Sequence, residues 1–151
     1  MPSVFETPAE LEKAVGRKLG ESEWLTVTQE RVDLFADATD DHQWIHVDVE
    51  RAKDGPFGGT IAHGYLTLSM IPAFNNELIN IETTGARLNY GLNKVRFPAP
   101  LKVESRIRIH VAVAEVKPLD GGAEAVYRLT YETEGEPKPC CVAELVFRYY
   151  R

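Results

Sequence analysis

The chain has 151 residues, 44% of them hydrophobic and 26% charged, and its 17 basic and 23 acidic residues leave a net charge of −6. A chain this long forms one domain, residues 1–151, that can bury about 68–70% of its unfolded surface without staples. The acidic balance argues against nucleic acid or an anionic membrane as the main partner, and the apolar stretch around residues 61–74 is too short and too polar to insert in a bilayer.

The N-terminus, MPSVFETPAELEKAVGRKLG, has no apolar core of export-signal length. Residues 8–16 predict a short helix ended by Gly16, and SEWLTV at 22–27 a short strand. Thr28 is placed to cap a helix over QERVDLFADAT, with Val32, Phe35 and Ala36 on one face. Residues 40–60 show no clean period and contain DGPFGG at 54–59, which is loop chemistry. An irregular stretch of that length inside a small domain is often functional.

Residues 60–79 predict a helix capped by Thr60. It is apolar nearly all round, as a buried helix is, and kinked or broken at Pro72. Beyond it the period becomes two. A strand over 87–97 is followed by VESRIRIHVAVAEV at 103–116, a hairpin turn at LDGG, AEAVYRLTYET at 123–133, a turn at 135–139 and CCVAELVFRYY. Adjacent Cys140 and Cys141 face opposite ways in a strand, so they read as reduced thiols of a cytoplasmic protein. Antiparallel strands with one apolar face each, curled over one buried helix, predict an α+β hot-dog fold: a long antiparallel sheet wrapped around a central helix. Such a unit leaves an open sheet edge, which predicts a homodimer.

The chemistry concentrates in DDHQWIH at 40–46. Asp41 and His46 pair a carboxylate with an imidazole, the types that take a proton from water and deliver another to carbon. Trp44 and Ile45 need burial and would pin the segment. The plain alternative is a solvated aspartate and a histidine bound to backbone. In AHG at 62–64, Gly64 sits where free N–H groups near a helix start can hold a carbonyl oxygen, or where small size merely relieves packing. His63 with His42 and His46 matches no zinc spacing, so no metal is expected. Tyr65 and Ser69 lie one turn apart and either line a pocket or pack in the core. Lys94, Arg96, Lys102, Arg106 and Arg108 suit either a phosphate-rich ligand or the wet face of a sheet.

The stretch FADATDDHQWIHVDVERAKDGPFGGTIAHGYLTLSMIP resembles the MaoC-like dehydratase family, which includes the (R)-specific enoyl-CoA hydratases, or hydratase 2, and the nodulation protein N-like proteins. Asp41 and His46 match the family's catalytic pair, and AHG matches the segment whose glycine binds the thioester oxygen. DHQWIH and LNYGLNKVRFPAP are typical of the nodulation protein N-like branch. Asp40 stands where the motif has Gly, Gln43 where it has Asn and Trp44 where it has Pro. Pro72 falls about where some hydratases carry a supporting serine.

The resemblance covers roughly residues 20–150. It implies the hot-dog fold, a dimer and acyl-CoA thioester substrates, and neither metal nor redox cofactor. The expected activity is reversible hydration of trans-2-enoyl-CoA to (R)-3-hydroxyacyl-CoA in fatty acid metabolism. Asp41 and His46 are expected to be catalytic, and Gly64, His63 and Tyr65 substrate-binding. A hot-dog thioesterase and a non-catalytic acyl-thioester-binding subunit are the alternatives.

Overall fold

The period-two half of the chain builds one large antiparallel sheet. The computed structural model describes residues 2–82 and 85–151. Strands β5 (Ala86–Arg96), β6 (Arg106–Leu119), β7 (Gly122–Thr133) and β8 (Cys141–Tyr150) join β2 (Lys18–Glu21) in the order β2-β6-β7-β8-β5, with β3 (Leu25–Thr26) also on β6. Alternation settles the register: Ile107, Ile109, Val111 and Val113 of β6 face the core with Ala125, Tyr127, Leu129 and Tyr131 of β7, each at most 2% exposed. Leu119 pairs with Gly122 across a two-residue turn. A Cβ on Gly122 would collide with the Tyr149 carbonyl, so only glycine fits that close strand approach.

Helices lie along one face of the sheet. Helix α1 spans Gln29–Thr39, and Thr28 caps it by accepting the Arg31 N–H on its side chain. Two one-turn helices follow, α2 (Trp44–Val47) and α3 (Val49–Lys53), within the stretch expected to be irregular; each is too short to show a period. The expected central helix is two helices, α4 (Gly64–Ser69) and α5 (Ile71–Leu78). The break falls at Met70, and Pro72 lies in the first turn of α5, where its missing N–H costs nothing.

Thr60 does not cap this helix. Its hydroxyl donates to Gln29 Oε1 at 2.7 Å, and residues 61 and 62 run extended, with the Ala62 N–H on the Leu101 carbonyl. Nor is the helix buried all round. Leu66, Thr67, Met70, Ile71, Phe74 and Leu78 are buried, but Tyr65 is 71% exposed.

The short helix expected over 8–16 is present as a 3-10 helix, Pro8–Ala14. One further departure lies near the N-terminus. The strand expected at 22–27 is only Leu25–Thr26, while β2 at Lys18–Glu21 carries no apolar alternation and forms because β6 offers its edge. Short β1 (Ser3–Phe5) pairs in parallel with β4 (Ile79–Ile81) outside the main sheet. The whole is the expected α+β hot-dog arrangement, with the core between sheet and helices. Cys140 and Cys141 are free and buried, and burial pushes the Cys141 thiol up to about 12. No helix among the described residues is long and apolar enough to cross a membrane.

Candidate active site

The end of α1 places the first functional side chain. Asp40 adopts the left-handed conformation, φ 60° and ψ 24°, and closes the helix by donating its N–H to the Ala36 carbonyl. This is the position at which the family motif has glycine, and aspartate is among the few other residues that tolerate that backbone. Asp41 follows, exposed, with its own N–H on the Ala36 carbonyl at 3.2 Å.

The burial within DDHQWIH is the reverse of what its polarity suggests. His46 is 7% exposed, whereas Trp44 and Ile45 are only half-buried. Trp44 still pins the segment: the Arg51 guanidinium lies 4.2 Å over its ring, and a Cβ on Gly55 would stand 3.0 Å from that ring. Ile45 pins it through backbone, accepting the Ile61 N–H at 3.0 Å. His42 faces away and pairs with Asp37 at 2.8 Å.

His46 Nδ1 donates to the Ile61 carbonyl at 2.7 Å. A carbonyl cannot donate, so Nδ1 carries the proton and the neutral ring keeps its lone pair at Nε2. Burial lowers the proton affinity of this ring below the ordinary histidine value; the Ile61 carbonyl opposes that, His63 adds to it and Asp41 opposes it. Gln29, which no sequence signal marked, ties the region together. Its amide donates to the His46 carbonyl at 2.8 Å and accepts the Thr60 hydroxyl.

His63 comes from the turn before α4. It is 2% exposed, donates from Nε2 to the Asp41 carbonyl at 2.9 Å, and stacks on His46 with ring centroids 3.9 Å apart. One carboxylate oxygen of Asp41 and one nitrogen each of His46 and His63 lie within 4.8 Å of one another. The three groups have the types that hold a metal. The two imidazoles, however, stack with planes only 25° apart, so their in-plane lone pairs run side by side instead of converging on one ion.

Gly64 opens α4, where its N–H has no acceptor within the helix. A Cβ there would stand 3.1 Å from three carbons of the Phe97 ring, so any side chain at this position requires that ring to give way by a few tenths of an ångström. Tyr65 lies outside this group, exposed and edge-on to Phe97 at 6.3 Å. The basic strand residues divide: Arg108 is tied to Glu132 and Glu21, and Arg106 to Glu134, on the solvent side of the sheet.

A carboxylate, a buried neutral imidazole and a backbone donor at one place are the parts of an acid–base site acting beside a carbonyl. A family model described as MaoC like domain matches residues 10–135. The chain belongs to the MaoC-like family.

Relatives agree with this assignment. The MaoC-like chain is 52% identical over 146 residues to 3-hydroxyacyl-thioester dehydratase Z of Mycobacterium tuberculosis, covering 96% of this chain and 97% of that one. It is 46% identical over 142 residues to nodulation protein N of Rhizobium leguminosarum bv. viciae, covering 91% and 88%. An unliganded (R)-hydratase structure from Pseudomonas aeruginosa superposes with a TM-score of 0.75 at 23% identity, covering 97% of this chain and 86% of that one, which shows a shared fold. The MaoC-like family is one of dehydratases and hydratases, so the reaction class is the addition or removal of water.

Proposed function

We propose that this MaoC-like chain reversibly hydrates a trans-2-enoyl-CoA to the (R)-3-hydroxyacyl-CoA, in fatty acid metabolism within the cytoplasm. The observation that carries the reading is the approach of Asp41 and His46 to within 4.8 Å, around an imidazole held in one tautomer. In this reading a water lies between the two side chains. Its oxygen attacks the β-carbon while its proton passes to the dyad, and the dyad returns a proton to the α-carbon. The Gly64 N–H takes the charge that builds on the thioester oxygen. The reaction needs neither metal nor redox cofactor.

Of the other expected binding residues, His63 lies behind the dyad, and Tyr65 stands at the outer rim beside Phe97, a place suited to the coenzyme end of the ligand. A homodimer fits the same surface. Edge strand β5 exposes Leu88, Tyr90 and Leu92, and Tyr65 and Phe97 are exposed as well, so a second copy would both extend the sheet and cover apolar area. The dehydratase name of the relative with 52% identity supports the thioester substrate.

The deciding experiment follows the absorbance of the conjugated thioester of crotonyl-CoA with wild type, Asp41→Asn and His46→Gln. The handedness of the product is read with a stereospecific dehydrogenase. Loss of absorbance by wild type alone, with an (R) product, supports the proposal; each variant should fall on the order of 10²–10⁴-fold in kcat. Release of free coenzyme A thiol would instead make the chain a thioesterase. Binding of short and long enoyl thioesters without turnover would make it an acyl-thioester-binding subunit.

A further inference from the structure

His63 is a buried titratable group that the hydration steps leave unused, and it touches every position those steps use. Its ring lies against His46 at 3.9 Å and donates from Nε2 to the Asp41 carbonyl at 2.9 Å. Its own carbonyl accepts the N–H groups of Leu66 at 3.1 Å and Thr67 at 3.2 Å, so it fixes the turn that presents Gly64. Phe35 closes the far side at 4.9 Å, and Nδ1 is buried without a hydrogen-bond partner. At 2% exposure the side chain is shut off from a ligand. A hydrophobic ring would fill the same space but leave the Asp41 carbonyl unbonded, and a glutamine would bond the carbonyl but leave His46 unsupported.

We infer that His63 is the positioning residue of the site: one imidazole sets both the loop that carries Asp41 and the face on which His46 lies, without touching substrate. The inference rests on the hydratase reading for its kinetic consequence, but not for its structural one. An electrostatic effect accompanies the geometry. The stacked His63 ring adds to the lowering that burial imposes on the proton affinity of His46. Asp41 acts on the His46 charge in the opposite sense. Asp48, on the segment of His46, is engaged by the Arg51 N–H, and Glu104, before β6, by the Gln29 N–H.

The test compares wild type with His63→Phe, which keeps a stacked ring, and His63→Gln, which keeps a donor. Both variants should retain the wild-type circular dichroism spectrum. Per active site, kcat should fall on the order of 10–100-fold in His63→Phe and less in His63→Gln, with KM within about twofold. The acid limb of kcat/KM should move to higher pH in His63→Phe. An NMR titration of the His46 ring should show the same upward move, and it reads the effect without any turnover. A lower melting temperature with unchanged kcat and an unmoved His46 titration would make His63 a packing residue and overturn the inference. If wild type hydrates nothing, the hydratase reading falls, and the NMR titration alone upholds or overturns the role of His63. Should His63→Phe not fold, the His46 titration and kcat of His63→Gln decide instead, wild-type values in both overturning the inference.

Discussion

His46 donates from Nδ1 to the carbonyl oxygen of Ile61 at 2.7 Å, while the N–H of Ile61 is held by the carbonyl of Ile45 at 3.0 Å. Two bonds between the same two segments fix both the tautomer and the depth of the ring. Burial outweighs the carbonyl and leaves the ring with a proton affinity below its ordinary 6.5.

The sign of the pH dependence follows. In the folded chain the midpoint of His46 protonation lies below 6.5, so the acid limb of kcat/KM should lie below that value as well. In the unfolded chain the ring takes its proton first. This ring therefore contributes to stability fully above 6.5 and loses that contribution as pH falls through 6.5 toward the folded value. Urea midpoints of wild type and His46→Gln, compared between about pH 7.5 and 5.5, should show the smaller drop in the variant. An acid limb above 6.5 would contradict a role for neutral His46 in the dyad.

Gly64→Ala should press on Phe97, whose ring carbons stand 3.1 Å from the added methyl position and must give way to admit it. A loss of about 1–3 kcal/mol is expected from overpacking, with kcat/KM falling more than tenfold if the N–H is displaced by a few tenths of an ångström. Introducing Phe97→Leu beside it should recover stability, measured as melting temperature. No recovery would show that the obstruction lies elsewhere.

Asp40→Gly should stabilise. Its φ of 60° is a left-handed conformation that glycine adopts freely. A gain of about 0.5–1 kcal/mol is expected from relieved strain, reduced by the extra entropy of an unfolded glycine. Equilibrium urea unfolding checks this, and because Asp40 lies outside the dyad the turnover number should not change.

Tyr127 and Tyr149 share a hydrogen bond of 2.5 Å between buried hydroxyls. Burial raises both phenols, that of Tyr149 to about 12. Replacing either one by Phe orphans its partner and should cost about 1–3 kcal/mol. The double replacement should be less destabilising than the sum, since no polar group is then left alone. A double-mutant cycle with additive losses would show that the pair is solvated.

The sequence by itself determined the elements whose periodicity is long enough to state a face. Strands β6, β7 and β8 were legible because alternation over ten or more residues fixes which side is buried, and α1 because Thr28 and a periodic apolar stripe mark its start and face. The resemblance to the MaoC-like family also singled out Asp41, His46 and Gly64 among the neighbouring acids and histidines. Their approach was not legible, since Asp41 reaches His63 over 22 residues through a backbone carbonyl that has no sequence signature. The same holds for Gln29, which joins Thr60 across 31 residues, and for Phe97, which lies against Gly64 although it belongs to the sheet half of the chain. Edge strand β2 formed without alternation because β6 presented unpaired backbone, and α2 and α3 are single turns that only their packing stabilises. Local chemistry is written in the order of residues. Contacts between segments are decided by which surfaces the folded core leaves for them, and there the tertiary structure alone set the burial of His46, the exposure of Tyr65 and the place of His63 between Phe35 and His46.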